Sequence, residues 1–258
     1  MDEQRLWTRC VCGRTRGRRV LMGDPPRVLA VVPGYEEGPR IGAVVSATRA
    51  HLAVLVVDDG STDDTAANAE AAGAEVLRQV PNQGKGAALR AGFRRALEDG
   101  YDAVLALDAD GQHAPDEIPR FLAAFAAPGA SGPRPELIIG RRDFARMPPV
   151  RRMSNTIGTA AFSWAVGRHV PDNQSGYRLI GRRLMTEMLA SEEPGFEFEV
   201  EMIAVCLRSG WTLEWVPIST IYDGAPSHVK PLAHLRHFVR ATRAARRIMR
   251  EGGSGANQ

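Results

Sequence analysis

The feature that most constrains this chain is an alternation of short, β-branched apolar runs with amphipathic segments. Runs at 28–32 and 53–57 have the length of buried strands, and the amphipathic segment at 39–50 between them predicts a helix. This alternation is typical of βαβ units, so we predict an α/β fold with a mostly parallel central sheet flanked by helices. The same pattern predicts strands at 75–80, 103–107, 137–139, 212–217 and 218–222, and helices at 87–98 and 150–167.

A further helix is predicted where the second strand ends. Ser61 or Thr62 would be its N-cap, because both side chains accept hydrogen bonds from the first free backbone N–H groups of a helix. Asp63 and Asp64 would then fall in the first turn, where the helix dipole favours acidic side chains. We expect this helix to run to about Gly73.

The apolar runs are too short to cross a membrane. The longest are of strand length, whereas a membrane-spanning helix needs roughly 18 consecutive apolar residues. The N-terminus carries two acids followed by six arginines within 1–20, and it lacks the apolar centre of a secretory signal. Three cysteines are too few and odd in number for a disulfide framework. We therefore expect a chain without a transmembrane segment that resides in the cytoplasm.

The basic residues are concentrated at the two ends of the chain. Residues 1–20 and 231–250 each hold six arginines, with two acids in the first segment and none in the second. Nucleic-acid binding would require basic residues across a face with aromatic residues between them, and aromatics make up only 6% of this chain. We therefore expect no nucleic-acid partner.

The second of these basic segments, 231–250, has the pattern of an amphipathic helix. At 100° per residue its arginines gather on one side, and apolar residues such as Ala245, Ile248 and Met249 gather on the other. Two interpretations remain open at this point. The helix could lie on an anionic membrane as a peripheral contact, or it could pack on the domain with its arginines in water.

Acidic side chains follow three predicted strands, at the points where the strands end. They lie in the segments 33–37, 58–61 and 108–113. In a parallel sheet, ligands bind beyond the carboxyl ends of the strands, so these acids would meet at one edge. Their mutual repulsion must be offset, and a divalent cation is the simplest way to do so.

Other uses of the Asp108-Ala109-Asp110 sequence fit less well. An EF-hand loop places glycine at its sixth position, whereas Gly111 stands at the fourth. A phosphatase of the D-x-D-G-T type would have threonine in place of Gln112. A phospho-receiver domain is about half this length and leaves the second half of the chain unexplained.

The ordered set of motifs resembles family 2 glycosyltransferases, and within them the branch of dolichyl-phosphate mannose synthase. The resemblance covers residues 27–230. It depends on Pro33-Gly34-Tyr35-Glu36-Glu37, Val56-Val57-Asp58-Asp59-Gly60-Ser61-Thr62-Asp63, Asn82-Gln83-Gly84-Lys85-Gly86 and Asp108-Ala109-Asp110-Gly111-Gln112-His113, in this order and spacing. Later segments agree with it, namely Gly140-Arg141-Arg142, Asp172-Asn173-Gln174-Ser175-Gly176-Tyr177-Arg178 and Gly195-Phe196-Glu197-Phe198-Glu199-Val200-Glu201.

The resemblance implies a GT-A nucleotide-sugar transferase fold and a role for each matched residue. Asp108, Asp110 and Gln112 would hold Mg²⁺ or Mn²⁺ against the donor diphosphate. The residues expected to bind the nucleotide sugar, with Asp108 among them a second time, are Pro33, Tyr35, Glu37, Asp58, Asp59, Lys85, Asp108, Arg141, Ser227 and His228. His228 stands where the branch has a lysine, and the usual preceding arginine is absent.

The resemblance also divides the chain. It implies a glycosyltransferase domain at 26–230, with a nucleotide-sugar half at 26–127 and an acceptor half at 136–230. Outside it lie a basic tail at 1–25, the amphipathic helix at 231–250 and a short tail at 251–258.

The expected reaction is metal-dependent, inverting transfer of a hexose, from a donor of the GDP-mannose or UDP-glucose type, to a polyprenyl phosphate at the inner face of the membrane. An anionic phosphate acceptor needs cations, which Arg178 and its neighbouring arginines would supply. A hydroxyl acceptor would instead need a general base. For that alternative, Asp172 is the first candidate base and Glu199 the second. The residues predicted to be catalytic are Asp110, Asp172 and Arg178.

Overall fold

The computed structural model describes residues 25–127, 133–219 and 231–251. Its centre is a seven-stranded sheet with the strand order β3-β2-β1-β4-β6-β5-β7. The strands are β1 (Val28–Gly34), β2 (Ala53–Asp58), β3 (Glu75–Arg78), β4 (Ala103–Ala106), β5 (Leu137–Arg142), β6 (Arg178–Gly181) and β7 (Leu213–Ile218). The helices are α1 (Gly38–Arg49), α2 (Thr65–Ala71), α3 (Lys85–Glu98), α4 (Ile118–Ala126), α5 (Pro149–Val166), α6 (Arg182–Met188), α7 (Glu197–Arg208) and α8 (Pro231–Glu251).

The predicted α/β fold with a mostly parallel sheet is confirmed. β1 pairs in parallel with β2 and β4, and β2 pairs in parallel with β3. β1, β2 and β4 are buried almost throughout, which explains why they read as continuous apolar runs. Apolar side chains fill a core on each face of the sheet. The carboxyl ends of β1, β2 and β4 therefore lie side by side.

One strand, β6, was not predicted from the sequence. It runs antiparallel to both of its neighbours, β4 and β5, whereas the other six strands of the sheet all run in the same direction. Because of this reversal, the residues that precede β6 arrive at the edge where β1, β2 and β4 end. The predicted strand at 212–217 is present as β7 (Leu213–Ile218), which pairs in parallel with β5. The strand predicted at 218–222 lies mostly outside the described residues.

The start of α2 also differs from the prediction. The helix begins at Thr65, with Asp64 at the N-cap position, so Ser61 and Thr62 lie before it. Asp63 has a different task from the one predicted, because its carboxylate accepts hydrogen bonds from the backbone N–H groups of Gly38 and Thr65. It thereby ties the start of α1 to the start of α2.

The C-terminal helix α8 packs on α5 and α7. Ala241, Ala245 and Ile248 are buried there, whereas Arg243 and Arg250 are exposed. Of the two interpretations left open by the sequence, the structure favours packing on the domain, because the apolar side of α8 is already occupied.

Among the residues that the structure describes, no helix is long and apolar enough to span a bilayer. Cys206 is a buried free thiol in the core, as its helical apolar pattern predicts, and burial raises its pKa to about 12. Predictions for residues 1–24, Cys10, Cys12, Ser227, His228 and 252–258 lie outside the described residues.

We expect Gly92→Ala to destabilise the protein by about 1–3 kcal/mol, through overpacking. A Cβ at Gly92 would lie 2.5 Å from Cγ1 of Val31, in the middle of buried β1. Gly42→Ala in α1 is the matched control, because its nearest contact, the carbonyl oxygen of Asn68, would be at an ordinary 3.7 Å. Urea unfolding should show no loss of stability in this control, and equal midpoints for the two variants would contradict the prediction.

Candidate active site

A cleft of about 380 Å³ opens beyond the carboxyl ends of β1, β2 and β4. It is lined by Pro33, Gly34, Tyr35, Glu37, Asp59, Asn82, Gly84, Lys85, Ala88, Asp108, Ala109, Asp110 and Phe196. Seven of the predicted site residues therefore meet in one place: Pro33, Tyr35, Glu37, Asp59, Lys85, Asp108 and Asp110. Lys85 is the one basic residue in the described lining of this cleft.

The two adjacent acids at the end of β2 have different tasks. Asp59 lines the cleft, and its carboxylate accepts hydrogen bonds from the backbone N–H groups of Gln83 and Gly84, at 2.8 and 2.7 Å. It thereby fixes the loop that leads into α3. Asp58 is fully buried behind the cleft, where it accepts from the N–H of Ser61 and pairs with Arg78 at 3.1 Å. This agrees with a supporting role for Asp58.

Lys85 joins two parts of the chain that are far apart in sequence. Its Nζ lies 2.6 Å from Oδ1 of Asp108 and 2.9 Å from Oε2 of Glu199. The lysine is the first residue of α3, Asp108 follows β4, and Glu199 is in the first turn of α7. The lysine charge thus holds together two carboxylates that would otherwise repel each other.

As an electrostatic consequence of this contact, Lys85 and Asp108 both keep their charge. Burial lowers the pKa of Lys85, but the carboxylates of Asp108 and Glu199 outweigh this effect and raise it above its ordinary value. Burial raises the pKa of Asp108, but Lys85 and His113 outweigh that and hold it well below its usual range. The base of the cleft is therefore a fixed ion pair at neutral pH.

The segment 172–178 packs directly against Asp108. A Cβ at Gly176 would lie 2.5 Å from Oδ2 of Asp108, so only glycine permits this approach. The same Oδ2 is 3.2 Å from Nε2 of His113. The centroid of the His113 ring lies 4.9 Å from that of Tyr177, and the two rings are tilted by 34°. The Asp108 carboxylate is consequently fixed by three different segments of the chain.

The Asp110 carboxylate is a suitable ligand for a divalent cation. Its Oδ1 accepts a hydrogen bond from the backbone N–H of Gln112 at 2.9 Å, and its carboxylate faces the cleft. No group of three His, Cys, Asp or Glu side chains occurs within 25–127, 133–219 and 231–251 that could hold a metal alone. Magnesium commonly binds one or two carboxylates together with substrate phosphates, which is the set that this cleft would offer. The Gln112 side chain is exposed and outside the cleft lining, so its role as a ligand stays a prediction.

Asp172 is fully buried and engaged by Arg142. The guanidinium of Arg142 donates from Nε to Oδ2 at 2.8 Å and from its second nitrogen to Oδ1 at 2.9 Å. The backbone N–H of Gln174 donates to Oδ1 as well, at 3.0 Å. Both carboxylate oxygens of Asp172 therefore accept hydrogen bonds that fix the loop before β6.

Arg178 is buried beneath the site and does not line the cleft. Its guanidinium donates to the backbone carbonyls of Ser175, Asn173 and Glu199. Arg178 therefore connects the start of α7 to the 172–178 segment. Arg141 is exposed on β5 and is likewise absent from the described cleft lining.

The roles of Phe196 and Asn82 were not predicted, although both lie within recognised motifs. Phe196 lines the cleft with its side chain 70% exposed, and its ring centroid is 5.3 Å from Nζ of Lys85. The loop before it rests on α3, where the N–H of Gly86 donates to the carbonyl of Pro194 at 2.7 Å. An aromatic residue directly after Gly195 was the available signal, but Lys85, which it contacts, lies more than 100 residues away in the sequence.

The chain was compared with known proteins. The model of glycosyl transferase family 2 matches residues 30–189. Undecaprenyl-phosphate mannosyltransferase of Micrococcus luteus is 32% identical over 210 residues, which cover 76% of this chain and 84% of the relative. Polyprenol monophosphomannose synthase of Mycolicibacterium smegmatis is 34% identical over 213 residues, which cover 75% and 77%.

Solved structures agree on the fold. The glucosyl-3-phosphoglycerate synthase of Mycobacterium tuberculosis, crystallised with Mg²⁺ and uridine diphosphate, superposes with a TM-score of 0.65 at 22% identity. The alignment covers 85% of this chain and 79% of that one. A second crystal structure of the same enzyme contains Mn²⁺, uridine diphosphate and glucosyl-3-phosphoglycerate. It superposes with a TM-score of 0.63 at 22% identity over 85% of this chain and 78% of that one.

Proposed function

Because this chain belongs to glycosyl transferase family 2, we propose that it transfers a hexose from a nucleotide sugar to a polyprenyl phosphate, with inversion at the anomeric carbon. One observation supports this proposal most strongly. Acids from the ends of three parallel strands meet in a single cleft whose one described basic residue is Lys85. Such a cleft suits a donor that brings a divalent cation with its diphosphate.

The donor side of the proposal depends on the loops after β1 and β2. Tyr35 and Asp59 line the outer part of the cleft, and Asp59 is held in place by two backbone N–H groups. We assign these loops to the nucleoside and the base of the cleft near Lys85 and Asp108 to the diphosphate. Lys85 is already paired with two carboxylates, so the further positive charge that the leaving group needs would come from the divalent cation.

Asp110, with Asp108 beside it, would hold Mg²⁺ or Mn²⁺. When bound, the cation would act as a Lewis acid on the leaving diphosphate. The position of Asp110 in the cleft, with Oδ1 fixed by the Gln112 N–H, supports this assignment.

The acceptor side favours a phosphate over a hydroxyl. A phosphate oxygen would attack the anomeric carbon while the bond from that carbon to the diphosphate oxygen breaks, and the nucleoside diphosphate leaves with the electron pair. No proton has to be removed. This matters because both candidate bases are occupied: Asp172 is paired with Arg142, and Glu199 with Lys85.

The names of the two relatives refer to a polyprenyl carrier and to mannose, which supports the same acceptor class. A polyprenyl acceptor resides in a membrane, so the proposed reaction takes place at a membrane surface, which we assign to its inner face. The exposed arginines of α8 would face anionic headgroups there, although its apolar residues are buried.

We expect metal-dependent transfer of label into the organic phase. The protein is incubated with Mg²⁺ or Mn²⁺, with labelled GDP-mannose or UDP-glucose, and with a short polyprenyl phosphate, and the products are partitioned between solvents. A chelator should abolish the transfer, and the donor that supplies the label identifies the sugar.

The free polyprenol, which lacks the phosphate, is the matched control acceptor. It should remain unlabelled, because Asp172 and Glu199, the two candidate bases for its hydroxyl group, are already paired with cations. Equal labelling of polyprenol, or consumption of the donor with all label in the aqueous phase, would contradict the phosphate acceptor and support a hydroxyl compound instead.

A further inference from the structure

Helix α5 carries an exposed apolar stripe along one side. Met153 and Ile157 are both 62% exposed, and Trp164 is 67% exposed. Ala160, which is also exposed, lies between them. At 3.6 residues per turn these four positions fall within about 60° of one another around the helix axis. They therefore form one continuous surface, which we call the α5 stripe.

The stripe is additional to the face by which α5 packs on the domain. Thr159, Phe162, Ala165 and Val166 are buried on the other side of the helix. A helix with one packed face and one polar face would be the ordinary arrangement at a protein surface. Here α5 is apolar on both sides. Exposure of the α5 stripe to water is unfavourable, and such exposed apolar surfaces mark sites of interaction.

A groove of about 400 Å³ enlarges this surface at the N-terminal end of α5. Its lining includes Met147 and Pro149, together with Met153 and Ile157 of the stripe. Arg152 also lines the groove and places a positive charge at its rim. The apolar surface therefore continues from the helix into the preceding turn.

The charges around the stripe indicate what kind of partner it fits. α5 contains no Asp or Glu, and α8, packed beside it, contains no acid before Glu251. Arg168 is exposed just beyond the end of α5, and the guanidinium of Arg246 from α8 lies 4.3 Å from the ring centroid of Trp164. A second copy of this chain would bring the same positive rim and be repelled, whereas an anionic lipid surface is complementary to an apolar stripe with a basic border.

We propose that the α5 stripe, with the arginines of α5 and α8 around it, is the surface by which this protein binds an anionic lipid bilayer. This inference rests on the proposed function and deepens it, because a polyprenyl phosphate acceptor would be located in a membrane. It differs from the membrane contact through α8 that the sequence left open, because the apolar side of α8 is buried against the domain. Trp164 marks one end of the surface, and tryptophan is enriched in the interfacial region of bilayers.

The test is binding of the full chain to vesicles of phosphatidylcholine mixed with phosphatidylglycerol, measured by sedimentation. The double variant Met153→Ser with Ile157→Ser should bind these vesicles about tenfold or more weakly, because two apolar side chains no longer enter the bilayer. Both side chains are largely exposed, so the variant should keep the wild-type melting temperature. Val80→Ser is the matched control, since Val80 is 80% exposed and is not part of α5.

Each outcome decides the proposal. Vesicle binding that is unchanged in the double variant would overturn it, as would equal binding of the wild type to vesicles of phosphatidylcholine alone. Self-association of the wild type that the double variant loses, without vesicle binding, would assign the stripe to a second copy. Because no donor or acceptor is present in this assay, the result stays separate from success or failure of the transfer assay.

Discussion

Replacing Asp110 by asparagine should reduce hexose transfer by about 10²–10³-fold or more, the loss typical when a group that stabilises developing charge is removed. Asparagine retains the oxygen that accepts from the Gln112 N–H, so the loop after β4 should keep its shape. What it lacks is the negative charge that would hold a divalent cation against the diphosphate. The measurement is the initial rate of transfer at saturating donor and metal.

Asp116→Asn is the matched control for this experiment, because Asp116 is an exposed acid a few residues further along the same segment and is not part of the described cleft lining. It should leave the rate unchanged. Titration of Mn²⁺ in the presence of the nucleoside diphosphate gives a second reading, in which Asp110→Asn should bind the cation more weakly. Full metal-dependent transfer by Asp110→Asn would refute the assignment.

Replacing Arg178 by methionine should destabilise the protein by about 3–5 kcal/mol, the range found when one member of a buried charged network is removed. Its guanidinium donates to carbonyls on two segments, and methionine would leave these acceptors and the nearby Glu199 without that partner. Lysine at this position should rescue the stability only in part, because an ammonium group does not reproduce the planar set of donors. Denaturant unfolding measures both effects.

Arg94→Met is the appropriate comparison, since Arg94 is exposed on α3 and its replacement should change stability by no more than about 0.5 kcal/mol. The result also decides between two roles for Arg178. If Arg178→Met unfolds at the wild-type midpoint and yet fails to transfer, the residue contacts the substrate directly, as the sequence motif suggested. Loss of stability would instead establish it as a positioning residue beneath the site.

The parallel part of the fold could be predicted because its signals are local. β1, β2 and β4 are buried on both faces, so they appear in the sequence as uninterrupted apolar runs. The acids that follow them had to meet, because the ends of neighbouring parallel strands share one edge. This reasoning placed Glu37, Asp59 and Asp110 in the cleft correctly.

β6 escaped prediction for the opposite reason. It has only four residues and begins with a charged one, Arg178, so it carries no strand pattern of its own. Its identity comes from pairing with β4 and β5, which no local window of sequence contains. The contact between Lys85 and Glu199 is equally non-local, since 114 residues separate the two. The sequence left two positions open for α8, because it shows an apolar side without showing that α5 and α7 cover it.

The reversed strand has a consequence for protein engineering. Since β6 lies between β4 and β5, the first and second halves of the chain share a single sheet, and the loop that supports Asp108 belongs to the second half. A chimera that joins the first half of one enzyme to the second half of another must therefore re-form the four residue pairs between β4 and β6. It must also retain glycine at position 176. The two halves of the chain are therefore not independent modules that can be exchanged freely between relatives.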